Sequence, residues 1–332
     1  MTHSLARRNL LQSISLSILA LAASMAVAPA ARAQGDYPNR LIKLVLPYPA
    51  GGGSDAMART VADKLQQVLG QTVVVENRPG ASGTIGNHHV VKAPADGYTI
   101  LYSNTSLIQQ PWMMSKLPYD PLKDLTPLIV VSRITNALVV PRKHSTVTTL
   151  KELIAQAKAS PGKFSAGSWG MGGGAHLLIE TLNQQADVDL LHVPFQGSSP
   201  LAVNLLGGQV QSGAVDAPTL ITYSDAFRPL AVAGPQRLPR FPEVPTFQEL
   251  GYENMAFDGW HGLLLPPKTS AAVVKKLSTA MNTILRMPDV LAKIDAMGML
   301  PGGGTPEEYA QSMREDSAAY ARIIKAANIR LD

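Results

Sequence analysis

The segment 41–59 constrains the fold of this 332-residue chain more than any other part of it. An apolar, β-branched run ends at Pro47 and Pro49, three glycines follow, and Ser54 and Asp55 open a stretch whose apolar residues recur at helical spacing. This pattern predicts a strand, a glycine turn and a capped helix.

The glycine turn, Gly51 to Gly53, lets the backbone approach a ligand closely. The N-terminus of the helix that follows presents unpaired N–H groups and about half a positive charge, so the expected ligand is an anion. A tight turn in any α/β protein is the alternative interpretation. The spacing excludes the nucleotide phosphate loop, GxxxxGK[ST], and the dinucleotide fingerprint, GxGxxG with a later acidic residue.

Two further units repeat this arrangement of strand, loop and helix. The strand 72–76 leads through Pro79-Gly80 into a helix that carries His88 and His89, and the strand 98–102 delivers Ser103 to the next loop. Three successive units of this kind predict a parallel sheet whose loops meet at the carboxyl ends of the strands.

The first 33 residues have the pattern of an export signal. Arg7 and Arg8 precede an apolar core, and Ala31-Arg32-Ala33 matches a cleavage site before Gln34. The paired arginines also suit a twin-arginine signal. A membrane anchor is the alternative, but polar residues interrupt the apolar run and small residues end it. We therefore expect a soluble, exported product cleaved after Ala33.

The composition excludes several other classes of protein. Cleavage would leave 299 residues and lower the formal net charge from +5 to +2, because the leader carries three arginines and no acid. With 16% charged residues and no Lys/Arg run, nucleic-acid binding has little support. There are no cysteines and the histidines lack the HxH and HExxH spacings, so we expect no metal site.

Two long apolar stretches indicate two domains. Residues 125–141 are predicted to leave the first domain for a second, and residues 255–266 to carry the chain back. The expected boundaries are 34–136 for the first part of lobe 1, 137–255 for lobe 2, and 256–332 for the return strand and the C-terminal helices that complete lobe 1.

The second domain repeats the strand-to-helix turns of the first. Strands are predicted at 163–166, 190–193 and 212–215, followed by a glycine-rich turn, by PFQGSSP and by Asp216. Near the C-terminus, Thr305 and Glu308 form a capping-box pattern that predicts a helix start.

Together these motifs resemble a known family. PYPAGGGSDAMAR, VVENRPGASGTIG, DGYTILYSNTS, HVPFQGSSPLAVNLLGGQVQSGAVD and GLLLPPKTS are similar to segments of the Bug-type solute-binding proteins, the extracytoplasmic receptors of tripartite tricarboxylate transporters. The similarity covers essentially the whole chain after the leader, in the same order.

The resemblance implies an α/β fold of two lobes, a type II-like periplasmic binding protein. Each lobe would be a central, mostly parallel sheet flanked by helices, and two crossing strands would join them. The lobes would close on a small carboxylate without a cofactor, and the monomeric receptor would deliver it to membrane subunits of the transporter.

In that family, backbone amides and hydroxyls of the loops hold the ligand. Carried over to this sequence, those positions are Ala50, Gly51, Gly52, Ser54, Asp55, Ala81, Ser82, Gly83, Thr84, Ser103, Asn104, Thr105, Ser168, Trp169, Gly170, Phe195, Gln196, Gly197, Ser198, Asp216, Trp260 and His261.

Some positions depart from the family pattern or allow other interpretations. Trp169 and Met171 follow Ser168 where proline and asparagine are common, and His261 follows Trp260 where an aromatic residue is more usual. Trp169 could stack on an aromatic acid or be core or lid, and His261 could meet a second carboxylate.

Asp216 is open to two interpretations. It could bind an amino group or a water of the ligand, or it could cap the helix that starts near Thr219.

Two other functions stay open at this point. Ser168, Asp216 and His261 occur in the order of the α/β-hydrolase triad, but such an order arises readily by chance and the glycines 172–174 prolong the turn after Ser168. A periplasmic sensor that signals to a kinase is the other alternative. Citrate-like, dicarboxylic and aromatic acids all remain candidate ligands.

Overall fold

The structure is a computed structural model that describes residues 37–51, 53–195, 197–253, 255, 259–326 and 329–330. The chain divides into two units, Met1–Asn39 and Arg40–Asp332. All elements below belong to the second unit. The expected signal peptide, Gly52, Gln196 and part of the expected return segment lie outside the described residues.

The first sheet has six strands in the order β11-β4-β10-β3-β1-β2. Strands β1, β2 and β3 pair in parallel, whereas β10 runs antiparallel to both β3 and β4, and β11 runs antiparallel to β4. The strands are β1 (Ile42–Leu46), β2 (Val73–Asn77), β3 (Thr99–Asn104), β4 (Thr126–Ile134), β10 (Gly259–Leu265) and β11 (Leu300–Gly303).

The second sheet has five strands in the order β7-β6-β8-β5-β9. Strand β6 is parallel to β7 and β8, and β5 is antiparallel to β8 and β9. The strands are β5 (Asn136–Pro141), β6 (Ser165–Ser168), β7 (Leu191–Pro194), β8 (Ser212–Asp216) and β9 (Phe227–Val232). Both sheets are therefore mixed, with parallel pairing confined to the strand–turn–helix units.

Helices connect the strands of each sheet. They are α1 (Gly53–Leu69), α2 (Thr84–Val91), α3 (Ser106–Met113), α4 (Leu150–Ala159), α5 (Gly174–Ala186), α6 (Ser198–Leu206), α7 (Ala217–Thr222), α8 (Ala271–Ile284), α9 (Pro288–Ala296) and α10 (Pro306–Ala326). A short 3₁₀ turn, Ala81–Gly83, precedes α2. Within the described ranges, none of these helices is both long and apolar enough to cross a membrane.

The chain leaves the first sheet at residue Thr135. Strand β4 ends at Ile134 and β5 begins at Asn136 in the second sheet, so the predicted crossing consists of two strands with one residue between them. Strand β10 brings the chain back and lies between β3 and β4. The first sheet is therefore discontinuous in sequence, as the apolar stretches predicted.

The C-terminal helix begins as its capping pattern predicts. Thr305 accepts a hydrogen bond from the Glu308 backbone N–H at 3.1 Å, and the Glu308 carboxylate accepts one from the Thr305 N–H at 2.8 Å. An apolar stripe of the helix is buried at Tyr309, Met313 and Ile324. The stripe packs α10 against α3 and β4 of the first sheet.

Apolar packing surrounds both sheets. Strand β1 is buried at four of its five positions, which suits a central parallel strand covered on both faces. One large cluster includes Leu101 and Val130 of the first sheet and Leu138 of the second. A smaller cluster packs α6 and α7 against the second sheet through residues such as Leu205 and Leu220.

Candidate functional site

The three loops at the carboxyl ends of β1, β2 and β3 meet, as predicted. The Tyr48 hydroxyl, after β1, donates to Asn104 Oδ1 at the end of β3, at 2.7 Å. Asn77 Nδ2, at the end of β2, donates to the Tyr48 carbonyl at 3.0 Å. Burial raises the pKa of Tyr48, so its hydroxyl stays a donor. These bonds hold the three loops in one arrangement.

Asp55 fixes the glycine turn before α1. Its carboxylate accepts from the Gly51 N–H at 3.1 Å, from Asn77 Nδ2 at 3.0 Å and from Arg59 Nε at 2.9 Å. Burial alone would raise the pKa of Asp55, but the hydrogen bonds from Arg59, Asn77 and Gly51 outweigh it and lower the pKa to about 2. Asp55 is thus an anion that organises the turn, and the exposed residues of the described part of this loop are Pro49, Ala50, Gly51 and Gly53.

A buried histidine lies behind Ser54, at the start of α1. His261 is 3% exposed, and its Nε2 lies 3.0 Å from Ser54 Oγ while its Nδ1 lies 3.3 Å from Ser132 Oγ. Burial lowers the pKa of His261 to about 4, so the ring is neutral at neutral pH. This geometry favours orientation of the Ser54 hydroxyl by a neutral imidazole. It does not favour the switchable, charged donor that the sequence suggested.

Trp260, the other predicted residue of β10, belongs to the core. It is fully buried, packs edge-on against Tyr309 with a centroid distance of 5.1 Å, and donates from Nε1 to Asp316 Oδ2 at 3.2 Å. Its backbone N–H donates to Thr105 Oγ1 at 2.8 Å. Trp260 and Thr105 therefore support the site from within, and neither Thr105 nor Ser103 is solvent-exposed.

The loop before α2 adopts an unusual backbone conformation. Ala81 and Ser82 have φ values of 46° and 54°, in the left-handed region that non-glycine residues seldom adopt. Both residues are exposed, whereas Gly83 and Thr84 are buried. Such strain persists where the surroundings impose it, and it often accompanies a functional loop.

A chain of buried side chains holds this loop. Ser103 donates to Asn87, Asn87 to the Tyr119 hydroxyl, and Tyr119 to Gln110, over distances of 3.3, 2.9 and 2.9 Å. Gln110 Nε2 then donates to the Ser82 carbonyl at 2.6 Å. Strand β3 is thereby connected to the loop. Asn87, Gln110 and Tyr119 could not be predicted from the sequence, because they come from separate parts of the chain.

The second sheet places another serine against a histidine. Ser168 Oγ, at the end of β6, lies 2.7 Å from His192 Nε2 and 3.0 Å from the Gly170 carbonyl. The His192 ring stacks on His176 at a centroid distance of 3.8 Å. Burial and the neighbouring His176 lower the pKa of His192 to about 4. Near the strand ends of each sheet, a serine therefore lies within hydrogen-bond distance of a neutral histidine.

The loop after β7 is hydrogen-bonded to the turn that begins at Ser168. The Phe195 N–H donates to the Ser168 carbonyl and the Gly197 N–H to the Trp169 carbonyl, both at 2.9 Å. The Trp169 indole is half-buried against Gly173, where an added Cβ would lie 3.1 Å from Nε1. Trp169 is thus packed on the glycine turn, which is the core-or-lid arrangement that the sequence left open.

Asp216 caps a helix, the second of its two sequence interpretations. Its Oδ1 accepts from the Thr219 N–H at the start of α7, and its Oδ2 accepts from Ser198 Oγ, both at 2.9 Å. The carboxylate thereby orients the Ser198 hydroxyl at the start of α6. Asp55 and Asp216 are the only carboxylates among the predicted site residues, and both are engaged by donors of the protein.

The predicted triad order does not form a triad. Ser168 contacts His192, Asp216 contacts Ser198, and His261 contacts Ser54, so the three residues belong to separate hydrogen-bonded groups. A nucleophile and its base must share a hydrogen bond. The geometry thus gives no support to the hydrolase alternative.

One group of side chains resembles a metal-binding set. Ligand atoms of His176, Glu180 and His192 lie within 4.8 Å of one another. However, Gly172 N–H donates to His176 Nδ1 at 3.0 Å, so the N–H of the ring is on Nε2, which faces Glu180. Imidazole lone pairs lie in the ring plane, so two stacked rings do not aim at one ion. The group suits a hydrogen-bonded stack better than a metal centre.

Comparison with protein families identifies one profile over most of the chain. Residues 57–329 match the family described as "Tripartite tricarboxylate transporter family receptor". Two relatives are the "UPF0065 protein in tcbD-tcbE intergenic region" of Pseudomonas sp. strain P51, 35% identical over 87% of this chain and 86% of that protein, and "Protein BugT" of Bordetella pertussis, 34% identical over 89% and 91%.

Solved structures show the same similarity. The periplasmic binding protein BugD superposes with a TM-score of 0.78 at 30% identity, covering 89% of this chain and 99% of that one. Rpa4515 of R. palustris with adipate gives 0.81 at 31% identity, covering 89% and 99%. MatC of Rhodopseudomonas palustris with bound malate gives 0.77 at 26% identity, covering 87% and 100%. The similarity extends over both sheets.

Proposed function

Because the chain belongs to the family of tripartite tricarboxylate transporter receptors, we propose that it captures a small organic carboxylate between its two lobes and delivers it to a membrane transporter. The resemblance seen in the sequence and the two-lobed α/β fold are both confirmed. Members of this family are solute-binding proteins, so the chain is not an enzyme.

The observation that carries the proposal is the matched pair of turns at the strand ends. In each sheet a strand leads through a glycine-rich turn into a helix. A serine at this turn lies within hydrogen-bond distance of a neutral histidine: Ser54 contacts His261, and Ser168 contacts His192. Hydroxyls and helix N–H groups supply donors without a full cation. A hydrogen bond to a charged group contributes roughly 1.5–3 kcal/mol, so several donors suffice to hold a carboxylate.

The lobes would act together on the ligand. Donors of the first lobe would come from Ala50, Gly51 and Ser54 and from residues 81–84, and those of the second from residues 168–170 and from Gly197 and Ser198. If each lobe supplies part of the donor set, only the closed arrangement makes every bond, and the ligand stabilises closure. The adipate and malate seen in the two R. palustris relatives support a carboxylate as the guest.

Residues 1–33 are proposed to export the chain to the periplasm and to be removed after Ala33. This location is supported by relatives of known structure that are periplasmic, among them the periplasmic binding protein BugD. The proposed lobes are 34–136 with 256–332, and 137–255, and the passage from β4 to β5 at Thr135 supports the first boundary. The receptor is proposed to act as a monomer that meets the membrane subunits of the transporter.

A thermal-unfolding screen tests this function. The exported protein, refolded to remove carried-over ligand, would be heated with aliphatic and aromatic mono-, di- and tricarboxylates. At a hundredfold excess over Kd, a ligand adds about 2.7 kcal/mol and raises Tm by several degrees. A selective shift with one class of acid is the expected result. A shift with amides, amino acids or esters but no carboxylate would refute the proposal.

Two serine variants test the assignment of the site. Ser82→Ala should weaken carboxylate binding about tenfold, because it removes one exposed hydroxyl donor. Ser198→Ala should also weaken it, because it leaves Asp216 Oδ2 without its hydroxyl donor and so exposes the anion to an unneutralised carboxylate oxygen. Ser199→Ala, at the exposed neighbouring position, is the matched control and should bind like the wild type. Titration calorimetry measures the affinities, and unchanged affinity in both site variants would contradict the assignment.

A further inference from the structure

A surface groove of about 790 Å³ lies on the second sheet, at the ends of the strands opposite to the candidate site. It is formed where β5 ends and where β6 and β8 begin, at Arg142, Lys163 and Gln211. The other ends of these strands carry Asn136, Ser168 and Asp216 of the site region. One strand length, roughly 15 Å, therefore separates the groove from the site.

The ionisable side chains that line the groove are all basic. Arg142, Lys143, His144 and Lys163 line it, and no acidic residue does. The side chains of Lys143 and Lys163 form no ion pair with any described residue. Three permanent cations in one depression are a marked concentration in a chain whose net charge is +5, and +2 without its first 33 residues.

The walls of the groove are held by hydrogen bonds. Arg142 Nε donates to the Phe227 carbonyl at 3.0 Å, and His144 Nε2 lies 3.2 Å from the Leu206 carbonyl. Gln211 Oε1 accepts from Ser165 N–H at 2.6 Å, which leaves its amide nitrogen as a donor. The groove is therefore a fixed concave surface that combines cations with neutral donors.

Other nearby charges do not cancel this field. The carboxyl end of α4, at Ala159 and Ser160, also lines the groove and carries about half a negative charge. Asp189 lies near Gly162, beside the groove, but its carboxylate forms no ion pair with the described lysines. The three cations exceed these contributions, so the groove attracts anions.

We propose that this groove is a docking surface for an acidic segment of a partner protein. The concave form favours an extended peptide over a planar bilayer surface, which could not reach the floor of a depression. Resting on the proposed function, the partner is a membrane subunit that receives the ligand. Docking at this edge leaves the strand ends of the site free, so the receptor can hold its ligand while it docks.

The test uses the exported protein and an octaglutamate peptide carrying a fluorescent label. Anisotropy is measured at about 20 mM and about 150 mM salt, since screening weakens charge-driven docking. Lys143→Glu with Lys163→Glu should weaken peptide binding by about tenfold or more, because two attractive charges become repulsive. Lys275→Glu with Lys293→Glu, at exposed positions outside the groove, changes the net charge equally and should keep wild-type binding within about twofold.

Each outcome decides the proposal. Equal weakening in both double variants, or no peptide binding by the wild type, overturns it. Binding to phosphatidylglycerol vesicles without binding to the peptide overturns it in favour of a membrane surface. Carboxylate-induced shifts in Tm, measured on the same variants, test the proposed function separately. Groove variants that keep the Tm shift but lose peptide binding support the docking proposal. Peptide binding by a protein that shows no Tm shift with any carboxylate would refute the proposed function alone.

Discussion

At the scale of single residues, the candidate site contains two histidines, of which His261 is buried and His192 is partly buried. His261 and His192 each lie within 3.0 Å of a serine hydroxyl, and burial keeps both neutral. A neutral imidazole can accept or donate, so it fixes the direction of the hydroxyl without adding charge to the site. In the proposed function the histidines act through the serines, as positioning residues.

Acid should destabilise the protein through His261. The pKa of this histidine is 6.5 in the unfolded chain and about 4 in the folded one, so the unfolded state binds more protons between these values. The free energy of unfolding therefore falls as pH drops from 6.5 to 4, by roughly 3 kcal/mol for this group. Denaturant titrations across this range measure the slope.

The matched variants for this prediction are His261→Gln and His144→Gln. The first removes the buried titrating group, so its stability should depend less steeply on pH than that of the wild type. The second replaces an exposed histidine and should keep the wild-type slope. Parallel slopes for the wild type and His261→Gln would show that folding does not lower the pKa of His261.

The coupling between Ser54 and His261 can be measured directly. Ser54→Ala should weaken carboxylate binding about tenfold in the wild type, and less in a His261→Phe background, where nothing orients the hydroxyl. The expected coupling exceeds about 0.5 kcal/mol. Strictly additive effects in titration calorimetry would mean that His261 does not act through Ser54.

At the scale of elements, strand β10 and helix α10 fit together through a glycine. A Cβ added at Gly262 would overlap the Tyr309 hydroxyl and lie 2.5 Å from Cζ of the same ring. The Tyr309 hydroxyl is buried and has no hydrogen-bond partner among the described residues. The helix is thus held against the strand by close packing, with the Tyr309 ring in contact with the backbone at Gly262.

Gly262→Ala should therefore destabilise the protein by about 1–3 kcal/mol, because the core is overpacked. Gly259→Ala in the same strand is the control, since its nearest neighbour is 3.5 Å away. Thermal unfolding should separate the two by several degrees. Adding Tyr309→Phe to Gly262→Ala should recover part of the loss, because it removes the overlapping hydroxyl; a failure to recover any would locate the clash elsewhere.

The elements that the sequence predicted are those with local signals. Strand, turn and helix at 41–59 and the capping box at Thr305 follow from propensity and capping within a few residues. Strand β11 was not predicted, because its sequence LPGG has weak strand propensity and pairs with β4 only through tertiary packing. Likewise, His192 and Gln110 gave no signal, because their partners are distant in sequence.

At the scale of the whole molecule, the two-lobed arrangement could be predicted from the apolar stretches and the resemblance together. The basic groove could not, because Arg142, Lys143 and Lys163 form no continuous run and converge only at the sheet edge. The choice between cap and ligand contact for Asp216 also required the fold. Its role depends on Ser198, which the fold brings from eighteen positions earlier in the chain.

Removal of helix α10 should affect the entire fold. The helix packs on α3 and β4 and also contacts α5 of the second lobe, so a chain ending before Thr305 would expose apolar surface of both. We expect loss of cooperative unfolding by circular dichroism. A stable truncated chain with altered ligand preference would contradict this and would give α10 a role in selectivity.

The position of β10 also has a consequence for how the protein is made. This strand lies between β3 and β4, yet it is synthesised more than a hundred residues after β4. Until it arrives, β3 and β4 have unpaired edges, while the second sheet is already complete in sequence. Such long-range pairing slows folding, and open strand edges recruit other chains. The nascent chain, more than the finished receptor, is therefore the form that needs protection from aggregation.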